Sequence, residues 1–474
     1  MVTVDRHDAI TLKIANVISQ SKKLDIEIYF FIPGELGITP NIISESNFYY
    51  NSITQKRVYY SDKILLPLVH SRLAKRGKLS FNQYRVSLSL FAYQYVTALD
   101  KAVNQFNKKN NSETIIDDIL NMIELSLDIL KRLRRSVPEE KDLKHYYNNI
   151  DNYLSWYTEQ RFLSLISHMN RDADYKAIKE ELIAIIEKEQ LYREEKNYNS
   201  TRVQADITRL SNKMRLLRRL IEHPIKLNEQ LTSLGSNMKR MVKGLATGLV
   251  MIVVTIVAIS ARGYWGEITA SFIMAMSFVY ALREIFKDDL RDILWRWIRK
   301  NRPKWRRRYS DPNTKKVIGQ KLEWLDYLSS KLIPKDILAI RKKKIAQREE
   351  KILRYRSEVQ MSSSQFLSGY EETKESLMVD LRSIARLINK GSNKIYQLNN
   401  GQVSRESVEK RHLINLVIKE DNHLGEPNYY RWKVVLNRSK IIDIEAIEQV
   451  DNKESKNKEM KEKTTQKPAG TDTK

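Results

Sequence analysis

Two apolar runs stand side by side near the middle of this 474-residue chain, and neither contains an ionisable side chain. The first reads GLATGLVMIVVTIVAISA from Gly244 to Ala261, and the second reads ITASFIMAMSFVYAL from Ile268 to Leu282. As helices rising 1.5 Å per residue they reach about 27 and 22 Å, slightly short of the ~30 Å hydrocarbon core of a bilayer. Two adjacent charge-free runs are unusual in a soluble core, so they predict a transmembrane helical hairpin over residues 244–282. A buried hairpin inside a soluble domain and a shallow hairpin returning through one leaflet are the competing readings.

The flanks orient that hairpin. Lys239, Arg240 and Lys243 precede it, and Arg283, Lys287, Arg291, Arg296, Arg299, Lys300, Arg302, Lys304, Arg306, Arg307 and Arg308 follow it. The rule that basic residues stay on the cytoplasmic side then places both termini in the cytoplasm of a multi-pass inner-membrane protein. Tyr264 and Trp265 in the connector suit the interfacial aromatic belt. Gly244 with Gly248 and Ser271 with Ala275 are small-residue pairs at helical spacing, which serve helix packing within the hairpin or a homo-oligomer.

Residues 283–310 combine an apolar face with Arg-rich flanks and the rings of Trp295, Trp297 and Trp305. That composition predicts a basic interfacial helix, with Trp295, Trp297, Arg299, Trp305, Arg306, Arg307 and Arg308 at the headgroups of an anionic leaflet. Arginine contacting phosphate and tryptophan stacking on bases would make the same stretch a nucleic-acid patch. Adjacency to a membrane helix makes lipid the simpler partner. The whole chain carries 83 Lys+Arg against 58 Asp+Glu, a formal charge of +25, which favours either anionic partner.

Elsewhere helical periodicity dominates, so the expected fold class is a mainly α membrane protein with a cytoplasmic helical bundle and coiled-coil segments. Residues 61–240 form the helical region, with Tyr84, Leu88, Phe91, Tyr95 and Leu99 on one core face. Val203, Ile207, Leu210, Met214, Leu217 and Ile221, then Leu227, Leu231, Leu234, Met238 and Met241, recur at heptad spacing. A second helical region is expected over 318–395, where Ala339–Glu358 would partner the heptads. Residues 1–60 and 405–446 supply strands, among them Leu24–Ile32, Val58–Tyr60, Leu413–Ile418 and Tyr430–Leu436, which predict a small β-containing module built from the two ends. The stretch 447–474 lacks the apolar residues to bury a core and reads as a disordered tail.

Catalytic chemistry is not evident. The chain has no cysteine, and its seven histidines are isolated from metal-ligand partners. No phosphate-binding or dinucleotide glycine motif and no metalloprotease helix motif is present, so no cofactor is expected. The most conspicuous polar loop is PGELG, in which Gly34 and Gly37 would expose backbone N–H groups beside Glu35. These readings converge on an integral membrane adaptor, sensor or effector with an unidentified protein partner. A membrane-anchored enzyme assembled from distant residues, an oligomeric pore-forming effector and a membrane-tethered nucleic-acid sensor are the alternatives.

Overall fold

The computed structural model describes residues 2–19, 23–60, 80–106, 115–169, 175–265, 270–299, 301–341, 349–362, 372–389, 392–399 and 402–447. In chain order the elements are β1 (Thr3–Arg6), β2 (Thr11–Ser19), β3 (Lys23–Pro33), α1 (Glu45–Ser52), β4 (Ile53–Tyr60), α2 (Phe81–Phe106), α3 (Ile115–Arg134) and α4 (Lys141–His168). There follow α5 (Lys176–Glu195), α6 (Thr201–Gln204), α7 (Ile207–Glu222), β5 (Asn228–Ser233), α8 (Ser236–Trp265), α9 (Ala270–Arg299), β6 (Trp305–Ser310) and β7 (Val317–Leu328). The last group is α10 (Lys335–Arg341), β8 (Glu350–Met361), β9 (Glu372–Asp380), α11 (Arg382–Ala385), β10 (Ser392–Asn399), β11 (Gln402–Glu409), β12 (His412–Asp421), β13 (Asn428–Leu436) and β14 (Ile441–Ile447).

The strand β3 explains the architecture. Leu24, Ile26, Ile28, Phe30 and Ile32 alternate onto one face, and Tyr29 and Phe31 are buried on the other. A strand apolar on both faces belongs in the middle of a covered sheet. It pairs antiparallel with β12 on one side and β8 on the other, inside an eight-stranded sheet of order β14-β13-β12-β3-β8-β7-β6-β5. Ile333, Ile337 and Ile340, from α10 and the turn before it, cover Tyr29 and Phe31. Across the other face lies a four-stranded antiparallel sheet, β1-β2-β9-β4. One contiguous apolar core joins both sheets to the helices.

This overturns the mainly α membrane fold. Of the described residues 52% are helical and 31% are strand, arranged as a mixed α/β body. Val317–Leu328, Glu350–Met361 and Glu372–Asp380 are strands where a second helical region was expected. The end segments pair through β3 and β12, yet the module is an eight-stranded sheet that also takes strands from the centre of the chain. The cause is visible in β9, whose inward positions are Thr373, Glu375, Leu377 and Val379. Half of that inward set is polar, which erases the alternation that marks a half-buried strand.

The coiled coil also fails. Ile207–Glu222 is a single helix, capped by Asp206, whose side chain accepts from the N–H groups of Thr208 and Arg209 at 2.8 and 3.3 Å. Its Met214, Leu217 and Ile221 enter the bundle core rather than a partner helix. After Pro224 the heptad residues Leu227 and Leu231 belong to extended chain, for β5 occupies Asn228–Ser233. The segment between α7 and β5 bonds to the edge of the smaller sheet: Tyr59 N–H donates to Ile225 O at 3.3 Å, and Leu227 N–H to Arg57 O at 3.0 Å. The tail beyond residue 447 lies outside the described residues.

Candidate functional site

The helix pair α8–α9 is inserted between two hydrogen-bonded strands. Asn228 faces Ser310 and Ser233 faces Trp305, and the ladder continues where Leu234 N–H donates to Lys304 O at 2.8 Å. Gly235 then turns the chain into α8 at φ +97°, and the Trp295 ring stands 3.2 Å from where a Cβ would lie. The left-handed backbone favours glycine there, and a Cβ would crowd the ring. The Arg283 guanidinium reaches Met251 Sδ at 3.6 Å, and with Trp295 against Gly235 this contact places α8 and α9 antiparallel.

Among the described residues only Ser236–Gly263 is long and apolar enough to cross a membrane. The apolar run of α9 stops at Leu282, and Arg283, Glu284, Lys287, Asp288, Asp289, Arg291 and Asp292 follow within the same helix. One such helix does not support the two-pass hairpin or the multi-pass inner-membrane placement. The apolar stretch of α8 is nonetheless bare: 11% of it is buried, and Ile252, Val253, Ile256 and Ile259 are all exposed. Among its described residues Val242, Ala246 and Val254 are buried, and Val250, Ala258 and Ala261 are half-buried.

The sequence-nominated residues fall into separate places. A Cβ at Gly244 or Gly248 would meet nothing within 4 Å, so both open away from α9. Ala275 is half-buried on α9. The side chains of Tyr264, Trp265 and Ser271 lie outside the described residues. Trp297 is 74% exposed, while Trp295 is half-buried with Arg299 over its ring at 5.3 Å. The basic interfacial helix expected over 283–310 gives way after Arg299 to strand β6, in which Trp305 and Arg307 point inward while Arg306 is half-buried and Arg308 exposed. Trp305 stacks on Tyr49 with ring centroids 3.7 Å apart and donates to Tyr50 Oη at 3.1 Å, so it does not face lipid headgroups.

The PGELG loop is a tight strand exit. Gly34 N–H donates to Glu349 O at 2.7 Å, and a Cβ on Gly34 would come within 2.6 Å of that oxygen. Gly37 takes φ +62° and donates back to Gly34 O, while Glu35 is exposed. The backbone N–H groups of both glycines are thus already engaged by the chain itself.

Arg307 leads to a charged layer between the sheets that sequence reasoning missed. Arg57, Lys321, Glu323 and Glu375 are essentially without solvent exposure. Arg57 pairs with Glu375 at 2.6 Å and donates to Thr373 at 3.1 Å, and Lys321 meets the other Glu375 oxygen at 2.5 Å. Arg307 bridges Glu229 at 2.7 Å and Glu323 at 3.3 Å, and Tyr49 and Tyr355 donate to Glu323 at 2.6 and 2.5 Å. Burial works to raise the Glu375 carboxyl, but the charges of Arg57 and Lys321 outweigh it and hold the group at about 2. Each of Arg57, Lys321 and Arg307 has a carboxylate within ion-pair distance. The ion pairs of this layer tie strands of the two sheets together.

A cleft of about 340 Å³ does open between α4 and α7. Tyr153, Trp156, Tyr157, Gln160 and Arg161 line one wall, and Ser211, Met214, Arg215 and Arg218 the other. Both sets repeat at three- and four-residue steps, so each was readable as a helical stripe. Their juxtaposition needed the fold. Among the described residues no group of three or more His, Asp or Glu side chains has the geometry to hold a metal ion. Comparison of the chain with family models, with curated proteins and with solved structures finds no match.

Proposed function

We propose that the protein is a noncatalytic membrane-associated adaptor or effector whose mixed α/β body presents the α8–α9 pair to lipid. The observation that carries this reading is the apolar surface of α8, left bare while the rest of the molecule builds a continuous core. Burying each exposed Ile is worth about 1.5–3 kcal/mol, so an uncovered helix of this kind is stable in water only at a substantial cost. Exposure runs around more than half of the helix, from Met251 through Ile252, Ile256 and Val253 to Val257, whereas a single partner helix would cover one stripe.

Charge supports lipid as the occupant. Lys239, Arg240 and Lys243 on α8 lie at the end nearest the sheets, as do Lys287 and Arg291 on the antiparallel α9. Basic residues at that level attract an anionic leaflet at about 1 kcal/mol each. Beyond Met251, where Arg283 sits, α8 extends only about 20 Å, short of the ~30 Å hydrocarbon core. The pair accordingly dips into the near leaflet and returns, holding the body at the surface for a protein partner.

The test is flotation of the full chain with neutral vesicles and with vesicles containing phosphatidylserine. Binding is expected to both, tighter to the anionic set and weakened there by salt. Replacing Ile252, Ile256 and Ile259 together by Ser should reduce binding at least about a thousandfold, with the melting temperature retained. A chain that ignores both vesicle types and instead dimerises through α8 would overturn the reading.

A further inference from the structure

The α4–α7 cleft has walls of two chemistries. Tyr153 and Tyr157 are buried and stack with centroids 5.6 Å apart at the base of the cleft, and Trp156, half-buried and 6.1 Å from Tyr153, supplies the aromatic face. Three guanidinium groups line the same space, but two are committed. Arg161 pairs with Asp100 at 2.7 Å and Arg218 with Glu222 at 3.1 Å. Burial would raise the Glu222 carboxyl, yet Lys56 and Arg218 hold it below its ordinary range, so it stays charged and keeps Arg218 engaged. Arg215 is exposed and has no acidic partner among the described residues.

We infer that this cleft binds a mononucleotide, with the base against Trp156 and the phosphate on Arg215. Aromatic side chains stack any base through its π face, and the guanidinium fork matches phosphate oxygens two at a time. The Gln160 amide and Ser211 hydroxyl line the same cleft and supply the donors and acceptors that a base edge or ribose needs. The volume stands at the lower end of the roughly 300–1,000 Å³ typical of ligand sites, enough for one nucleotide and too small for a dinucleotide. Neither the membrane reading nor the α8–α9 pair enters this assignment.

Titration of the full chain with AMP, GMP, CMP and UMP, followed by calorimetry, tests it. At least one should bind, while its unphosphorylated nucleoside binds at least tenfold more weakly. Arg215→Gln, a change at an exposed residue, should weaken the nucleotide about tenfold and leave the nucleoside unaffected. Trp156→Leu should weaken both, and Trp156→Phe should restore them. The proposal is overturned if no mononucleotide binds, if Arg215→Gln changes nothing, or if single-stranded oligonucleotides bind at this cleft and mononucleotides do not compete.

Discussion

The space between the two sheets and the surface of α8 are inverted relative to each other. Between the sheets Arg57, Lys321, Glu323 and Glu375 are buried; along α8 Ile252, Ile256 and Ile259 are exposed. Residue type alone assigns both regions to the wrong environment. What decides is whether a partner is at hand: the charges find one another across strands distant in sequence, and the apolar helix finds α9 along a single seam. A charged residue can be a core residue when its counter-charge is folded against it, and an apolar residue can be a surface residue when no other element of the chain is folded over it.

The contrast breaks most sharply at Arg57. Arg57→Met leaves Glu375 buried with Lys321 alone, and removing one member of a buried pair typically costs about 3–5 kcal/mol. Urea unfolding should show that loss, and Arg57→Met combined with Glu375→Leu should recover only part of it, because Lys321 then keeps Gln55 at 3.0 Å and the more distant Glu323 at 3.9 Å. An Arg57→Met chain as stable as the parent would mean that the layer is not a unit.

Acid should act on the same layer in a defined direction. The Glu375 carboxyl is depressed to about 2 in the folded chain, so the unfolded chain binds more protons between that value and the ordinary 4.5. Its contribution is complete above pH 4.5 and lost as the pH falls toward 2, an effect on the order of 2–3 kcal/mol. Glu375→Gln should flatten the stability profile in that window.

The smallest effect belongs to the exposed helix. Gly248 opens onto free space, so Gly248→Ala should stabilise α8 by about 0.5–1 kcal/mol through helix propensity alone, measured as thermal stability. Any accompanying change in oligomeric state would show that Gly248 is covered after all, and would sharpen where the exposed apolar surface begins.

The sequence is legible where side chains follow the simple period of their element. β3 covers the Leu24–Ile32 run that apolar character and turn residues mark out, and the α2 core face of Tyr84, Leu88, Phe91, Tyr95 and Leu99 is buried. It is illegible where inward positions are polar. In β6 the inward residues are Trp305, Arg307 and Tyr309, and the neighbouring arginines make the stretch read as a basic surface segment. The heptad through Leu227 and Leu231 misleads for a related reason, since spacing by three and four cannot reveal that Pro224 ends the helix and strand pairing takes over. The cleft residues were visible as two stripes, but only the packing of α4 against α7 makes them one site.

The insertion point of α8 and α9 has a consequence of its own. The pair leaves from β5 and returns to β6, whose backbones run side by side about 4.8 Å apart. The strand register closes from Leu234 to Lys304 without reference to what lies between them. That edge of the sheet is a socket: whatever is plugged into it can lengthen, shorten or be exchanged while the body keeps its shape. The strand ladder thus sets where the helix pair leaves and returns, and leaves its length unconstrained.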